Sequence, residues 1–197
     1  MNRRTVYAFD FDGTLFDGDS FVKFALFSLG RLKFIRALIL ESPWLVAWRL
    51  LHAVSSSKAK ERLFRRLYRG MPLSEFNRLG QEFQRVIDGH IRAEVAGEMR
   101  SALLSGARVY IISASLENWI IPWAKAQGDV KVLATRAGVD DKGCLTGRFD
   151  GPNCIGREKV TRLLEAEPGR QGYTLVAYGD SGGDRDLMAI ADRQVWV

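Results

Sequence analysis

The strongest constraint in this chain of 197 residues lies near its start, where an apolar run ends in two carboxylates. Val6 to Phe9 reads as a short buried strand, and Asp10 to Thr14 follows it directly with the sequence Asp-Phe-Asp-Gly-Thr. Side chains alternate between the faces of a strand, so Asp10 and Asp12 face one pocket only if the chain leaves the strand between them. Two adjacent carboxylates repel each other unless a cation or a shared proton intervenes. The spacing favours a hard divalent cation, and an ordinary acidic turn is the alternative.

Three later segments also place small or polar residues after an apolar run or at the start of a helical pattern. They are Ser113 and Ala114 after residues 108–112, Lys159 in a helix predicted from residue 156 onward, and Asp180 and Asp184 after residues 173–178. Hydroxyls and backbone amides in such turns bind anionic oxygens, and a lysine in a first helical turn can face a phosphate. Taken singly, the serine segment also fits a helix cap and the lysine fits a solvated helix face.

In this order the four segments resemble the signature motifs of the haloacid dehalogenase (HAD) superfamily of phosphohydrolases. Within it, the chain is similar to subfamily IB, the phosphoserine phosphatase-like branch. The resemblance covers residues 6–197 apart from the cap. It implies an α/β fold, with a Rossmann-like three-layer core around a parallel sheet and an inserted all-helical cap of type C1.

The resemblance also implies hydrolysis of a phosphate monoester through an aspartyl-phosphate, with Mg2+ as the cofactor. Asp10 would be the nucleophile. Asp12 would protonate the leaving alcohol and then activate water. Mg2+ would be held by the carboxylates of Asp10 and Asp180 and by the backbone carbonyl of Asp12.

The remaining motif residues would bind the phosphoryl group or support the metal. By the same resemblance, Ser113, the backbone amide of Ala114 and Lys159 would contact the phosphoryl oxygens. Asp184 would not bind the metal directly; it would contact the metal-bound waters or Lys159.

Two residues outside the motifs are candidate substrate contacts. Relatives that hydrolyse phosphoserine carry a glutamate nine residues after the nucleophile, where this chain has the shorter Asp19. Arg65 lies in a basic run of the expected cap region 17–87. Phosphoserine-like small phosphates are therefore the first substrate class. The alternative is a lipid-linked phosphate such as phosphatidylglycerophosphate, hydrolysed at the membrane surface.

The apolar and helical patterns divide the chain into a core and an insertion. Strands are predicted at 5–10, 108–112, 130–134, 174–178 and 194–197, with a hairpin whose arms are 132–136 and 145–149. Residues 17–87 show helical patterns without a convincing strand, broken at Gly30, 41–43, 55–57 and 70–72. We expect a catalytic core of residues 1–16 and 88–197 and a cap of residues 17–87.

The basic excess of the chain lies entirely in the insertion. Residues 17–87 hold 13 Lys and Arg against 6 Asp and Glu, whereas the remainder holds 16 against 17. The insertion also holds seven of the eleven Phe, together with Trp44 and Trp48. These aromatic residues either pack inside a helical cap or, with the basic residues, meet an anionic membrane. Nucleic acid is not expected as a partner, because no base-stacking or groove-reading motif accompanies the charge.

The remaining composition points to a cytoplasmic protein. Cys144 and Cys154 form no close pair, which favours a reduced compartment. A cleaved signal at the start would remove the proposed nucleophile. We expect a cytoplasmic location, and a peripheral position at the inner membrane face stays open. A binding module with a structural cation, without catalysis, is the alternative from a different functional class.

Overall fold

The strand that carries the first motif lies at the centre of the sheet. The computed structural model describes residues 3–51 and 56–197, and the side chains of residues 3–42 and 57–197. The main sheet consists of β1 (Arg4–Phe9), β2 (Arg108–Leu116), β3 (Val130–Thr135), β6 (Tyr173–Gly179) and β7 (Arg193–Trp196). These strands are all parallel, in the order β3-β2-β1-β6-β7. The five predicted strands and the parallel α/β fold are confirmed, and the carboxyl ends of all strands meet at one edge.

Helices cover both faces of this sheet. They are α1 (Ser20–Leu51), α2 (Ser56–Tyr68), α3 (Leu73–Glu82), α4 (Gln84–Asp88), α5 (Ala93–Leu104), α6 (Glu117–Gln127), α7 (Arg157–Ala166) and α8 (Arg185–Ala189). Successive side chains of β1 point to opposite faces, so that Val6 and Ala8 belong to one buried cluster and Phe9 to another. Leu163 of α7 packs on the first face, and Met99 of α5 packs on the second. The result is the three-layer arrangement expected for this class.

An aromatic cluster joins the inserted helices to α6, one of the helices that cover the sheet. Phe24 of α1 stacks on Trp119 of α6, with ring centroids 4.4 Å apart. Phe76 of α3 and Phe83, at the end of that helix, meet Phe24 edge to face. Six of the seven Phe in residues 17–87 are buried, and only Phe27 is substantially exposed. Internal packing therefore accounts for most of the aromatic content. Trp44 and Trp48 lie outside the described side chains.

The helix boundaries differ in part from those predicted. Gly30 interrupts α1 with φ of 79°, as expected for a break, and residues 69–72 separate α2 from α3. The predicted break at 41–43 is wrong, because α1 continues to Leu51. The break predicted at 55–57 lies partly outside the described residues, and α2 already begins at Ser56. Within the described part of 17–87 there is no strand.

The predicted hairpin is displaced by a few residues. Its first arm is β4 (Ala137–Val139) rather than 132–136, because residues up to Thr135 stay paired with β2 in the main sheet. Its second arm is β5 (Leu145–Phe149), as predicted. The hairpin reaches the inserted helices, and the amides of Gly70 and Leu73 donate to the carbonyls of Leu145 and Gly143. None of the helices in the described ranges combines the length and the apolar character needed to cross a membrane.

A buried glutamate ties together the amino ends of the two central strands. Glu167 follows α7 and accepts hydrogen bonds from Arg4 of β1 (2.7 Å), Arg108 of β2 (2.6 Å) and the Tyr110 hydroxyl (2.6 Å). Its side chain is fully buried. Burial alone would raise the pKa of Glu167, but the hydrogen bonds from Tyr110 and Arg108 hold it below its ordinary value.

Glu167→Gln should lower the free energy of unfolding at neutral pH by about 2 kcal/mol, because it removes the charge that these donors stabilise. The pKa of Glu167 is lower in the folded state, so its contribution is complete above the ordinary value of 4.5 and is lost as the pH falls through the folded-state pKa. Urea unfolding of both proteins at neutral and acid pH measures the difference. Glu165→Gln, on an exposed part of α7, is the matched control. Equal stability of Glu167→Gln and wild type at neutral pH would contradict the prediction.

Candidate active site

The proposed nucleophile lies one residue beyond the central strand. The amide of Asp10 donates to the Tyr178 carbonyl (2.9 Å), so the pairing with β6 extends past Phe9 and fixes the Asp10 backbone. The loop after β6 carries Asp180 and Asp184 to the same edge. Oxygens of Asp10, Asp180 and Asp184 lie within 4.8 Å of one another. The structure thus brings together the first and the fourth motif.

Lys159 links these carboxylates. Its buried ammonium group donates to Asp10 Oδ1 (2.5 Å) and to Asp184 Oδ1 (2.6 Å). Burial alone would lower the pKa of Lys159, but Asp10 and Asp184 raise it, so the side chain stays charged. Gly156, just before α7, donates from its amide to the Gly183 carbonyl (2.8 Å), which fixes the start of this helix against the loop of the fourth motif.

The cluster carries more negative charge than Lys159 can balance. Three carboxylates face one ammonium group. Burial raises the pKa of Asp10, and burial together with Asp184 raises that of Asp180. Oxygen donors crowded in this way suit a hard divalent cation, which relieves their repulsion. The donor set therefore fits the metal that the resemblance implies.

Glycine is required where the first motif passes the fourth. Gly13 has φ of +79°, and a Cβ atom built there would lie 2.1 Å from Asp180 Oδ2. A side chain at this position would displace the Asp180 carboxylate. The glycine of the first motif is therefore explained both by its backbone conformation and by the close approach of a candidate metal ligand.

Asp12 lies in a separate hydrogen-bonded environment. Its carboxylate accepts from the amide of Ser20 (2.9 Å) and from the Ser115 hydroxyl. The Ser20 hydroxyl donates to Ser115 Oγ (3.1 Å) and accepts from the Trp119 indole (3.0 Å). Burial raises the pKa of Asp12, while the charge of Lys60 and the hydrogen bonds from Ser115 and Ser20 oppose this. Its carboxylate is not among the three of the acidic cluster.

The second motif lies in the sheet rather than in a turn. β2 extends to Leu116, past the predicted end at 112, although its register with β3 becomes irregular after Ser113. Ser113 is buried, and its hydroxyl oxygen accepts from the amide of Ser115 (3.0 Å). The Ala114 carbonyl accepts from the Thr135 hydroxyl (3.1 Å). The predicted serine-rich turn is thus an irregular strand end that brings Ser115 to Asp12.

The two predicted substrate contacts in the inserted helices have different surroundings. Asp19 is exposed just before α1, and its carboxylate accepts from the amide of Val22 (3.1 Å). Its charge is close enough to raise the pKa of Asp12. Arg65 packs over Gly147 of β5 and lines a groove with Glu41 and other arginines. The structure does not bring Arg65 to the carboxylates.

Lys60 is, with Ser20 and Ser115, a site residue that sequence reasoning missed. Its ammonium group lies 3.2 Å from the Ala114 carbonyl and 3.3 Å from Ser115 Oγ. A signal was present, because Lys60 shares a helical face with Phe64 and Tyr68, at spacings of four and eight residues, and both rings are buried. A cation on the apolar face of an amphipathic helix needs a partner. Here that partner is the second motif.

Three comparisons relate the chain to known proteins. A family model described as haloacid dehalogenase-like hydrolase matches residues 7–189. Protein CicA of Caulobacter vibrioides (strain NA1000 / CB15N) is 31% identical over 188 residues, which cover 95% of this chain and 83% of that protein.

Two solved structures share the fold. The protein with unknown function from Bordetella pertussis Tohama I superposes with a TM-score of 0.80 at 23% identity, over 99% of this chain and 90% of that chain. A substrate-bound phosphoserine phosphatase superposes with a TM-score of 0.66 at 16% identity, over 98% of this chain and 85% of that chain. The predicted phosphoserine phosphatase-like fold is confirmed. With the family match extending over most of its length, the chain belongs to the haloacid dehalogenase-like hydrolases.

Proposed function

We propose that the chain is a Mg2+-dependent phosphatase that hydrolyses a phosphate monoester through a phosphorylated aspartate. The observation that carries the proposal is the difference between the surroundings of Asp10 and Asp12. Asp10 lies against Lys159 within the acidic cluster, whereas Asp12 is held apart from it by Ser20 and Ser115. Two neighbouring carboxylates in unlike environments suit two different roles in one reaction.

In the first half of the reaction, a carboxylate oxygen of Asp10 attacks phosphorus. The bond between phosphorus and the ester oxygen breaks, and Asp12 gives its proton to the departing alcohol. The proton-bearing form of Asp12 is consistent with the burial that raises its pKa. Lys159 offsets the repulsion between Asp10 and the incoming phosphate.

In the second half, Asp12 takes a proton from water. The water oxygen attacks phosphorus, the bond from phosphorus to Asp10 breaks, and inorganic phosphate leaves. The proposed contacts of the phosphoryl oxygens are Lys159, the amide of Ala114 and the hydroxyl of Ser113. The Ser113 oxygen accepts from the Ser115 amide and so keeps its own hydrogen as a donor.

The carboxylates of Asp10 and Asp180 and the backbone carbonyl of Asp12 are the proposed ligands of Mg2+. When bound, the ion supplies positive charge for the phosphoryl oxygens. Asp184 is proposed to hold the site in shape, because one of its oxygens accepts from Lys159 and the other from the amides of Asp180 (3.3 Å) and Ser181 (3.2 Å).

The inserted helices are proposed to select the substrate. We assign residues 17–87 to this cap and residues 1–16 and 88–197 to the catalytic core. The charges of Lys60 and Asp19, both in this cap, act on the pKa of Asp12, which supports these residues over Arg65 as substrate contacts. A panel of phosphorylated amino acids, sugars, nucleotides and phospholipid head groups would separate phosphoserine-like substrates from lipid-linked ones.

Asp10→Asn should reduce phosphatase turnover by at least about 1000-fold, because the amide keeps the shape of the side chain but is not a nucleophile. Release of phosphate from an aryl phosphate with Mg2+ measures this. Asp129→Asn, on the surface between α6 and β3, is the matched control and should match wild type. Retention of turnover within about tenfold of wild type in a folded Asp10→Asn protein would refute the covalent route.

Asp180→Ala should raise the Mg2+ concentration needed for half-maximal turnover by about tenfold or more, because it removes one of few protein ligands. Chelation should abolish wild-type turnover, and added Mg2+ should restore it. Titrations of both proteins with Mg2+, at saturating aryl phosphate, give the comparison. Asp186→Asn, exposed on α8, is the control. Superimposable titrations for wild type and Asp180→Ala would place the metal elsewhere.

Ser115→Ala should raise the pKa of Asp12, because the Ser115 hydroxyl donates to the charged carboxylate and lowers this pKa. The acid form of Asp12 is active in the first half, so the alkaline limb of the kcat/KM profile should move to higher pH. Its maximum should fall about 10- to 100-fold as Asp12 loses a fixed orientation. Ser101→Ala, exposed on α5, controls for general effects. A lower maximum with an unmoved limb would show that Ser115 only supports the structure.

A further inference from the structure

The second part of α1, after the break at Gly30, has apolar side chains on two opposite sides. One side faces the protein, where Phe34, Ala37 and the Glu41 side chain are buried. The other side faces away from the protein. A helix on the surface of a soluble protein is normally polar on that side. On this part of α1, the outward side carries large apolar residues instead.

Leu32, Ile35 and Ile39 form a stripe along the outward side, at spacings of three and four residues. Their exposed fractions are 86%, 50% and 64%, and neighbouring Leu40 is 51% exposed. Residues at these spacings lie on one helical face. We call these four residues the apolar stripe. Such a contiguous set is unlike the single exposed apolar residues found on most surfaces.

The charges around the apolar stripe have one sign. Arg31, Lys33 and Arg36 are exposed on the same helical segment. The sequence has no Asp or Glu between Ser20 and Leu40. The first acidic residue of α1 is Glu41, which is buried and accepts from Arg62 and Arg66 (2.8 Å). The surface thus combines exposed apolar side chains with cations, and the first carboxylate that follows them along α1 is already paired.

A groove beside the apolar stripe continues this pattern. Its lining combines apolar and cationic side chains from α1 and α2 with the chain that follows α2; these include Leu29, Lys33, Arg36, Leu40, Arg66 and Arg69. An amphipathic helix with apolar and basic side chains on one exposed surface inserts between the head groups of an anionic bilayer, where the cations meet lipid phosphates. Charge complementarity therefore favours an anionic membrane as the partner that covers this face.

We propose that the apolar stripe and its flanking cations dock the protein on an anionic membrane surface, with this part of α1 lying in the plane of the head groups. The proposal is independent of the phosphatase assignment. It refines the expectation of a basic membrane-facing cap, because Arg62 and Arg66 bind Glu41 and the outward apolar side chains lie on α1 instead.

Flotation with lipid vesicles tests the proposal. Wild type should float with vesicles of phosphatidylglycerol and phosphatidylcholine, and not with phosphatidylcholine alone, and high salt should weaken the binding. A triple variant, Leu32→Ser, Ile35→Ser and Ile39→Ser, should lower the bound fraction by about tenfold or more. Leu104→Ser removes an equally exposed leucine from α5, at 90% exposure, and should bind as wild type.

Two measurements separate this surface from folding and catalysis. The triple variant should remain folded in a thermal unfolding scan and keep its turnover of a soluble aryl phosphate, because its three side chains are at least half exposed and lie outside the active site. Loss of catalysis in Asp10→Asn would leave vesicle binding intact, so the two proposals fail separately. Arg31→Gln with Lys33→Gln and Arg36→Gln should weaken binding and its dependence on salt.

Three outcomes would overturn the proposal. The first is that wild type fails to bind anionic vesicles at low salt. Equal binding of wild type and the triple serine variant would remove the apolar stripe from the interface. The third outcome is that light scattering shows a dimer for wild type and a monomer for the triple serine variant. The apolar stripe would then bind a second copy of the chain instead of a membrane.

Discussion

The Lys159 ammonium group is the interaction on which the arrangement of the site depends. It contacts a carboxylate from the first motif and one from the fourth, and both contacts are buried. Without this charge, Asp10 and Asp184 would repel each other at the edge of the sheet in a region with little water. The position of Lys159 depends in turn on α7, whose start is joined to the loop of the fourth motif by the Gly156 amide. Parallel strands bring the carboxylates near each other, and the helix between them supplies the charge that makes their proximity tolerable.

The inserted helices contribute to the site as well as covering it. Ser20 at the start of α1 and Lys60 of α2 complete the hydrogen bonds around Ser115 and Asp12. The aromatic cluster around Trp119 explains how they can be placed accurately. The ring of Trp119 packs against cap phenylalanines while its indole nitrogen donates to Ser20. One core residue thus connects apolar packing of the cap with the polar environment of the second carboxylate.

The sequence was most informative where a strand end and a short motif coincide. Asp10, Asp180 and Asp184 could be placed at one edge of the sheet because parallel strands share that edge, whereas Lys159, at a helix start, was placed by the family resemblance. Contacts that depend on the relative position of distant elements could not be predicted. Lys60 reaches the second motif only because α2 packs against α1 and β5, and Arg65, five residues farther on, faces Gly147 and a separate groove. Pro43 suggested a break because proline is unfavourable inside helices, yet α1 continues past it.

The hydrogen bonds of Asp12 make its proton affinity a property of two structural units together. Ser20 belongs to the inserted helices and Ser115 to the sheet, and both stabilise the charged carboxylate. A displacement of one unit from the other would change the free energy of binding a proton. Linkage is reciprocal, so a change in the protonation of Asp12 must alter the equilibrium between those arrangements by the same free energy. The protonation state of Asp12, which differs between the two halves of the proposed reaction, would then also shift the position of the cap as turnover advances.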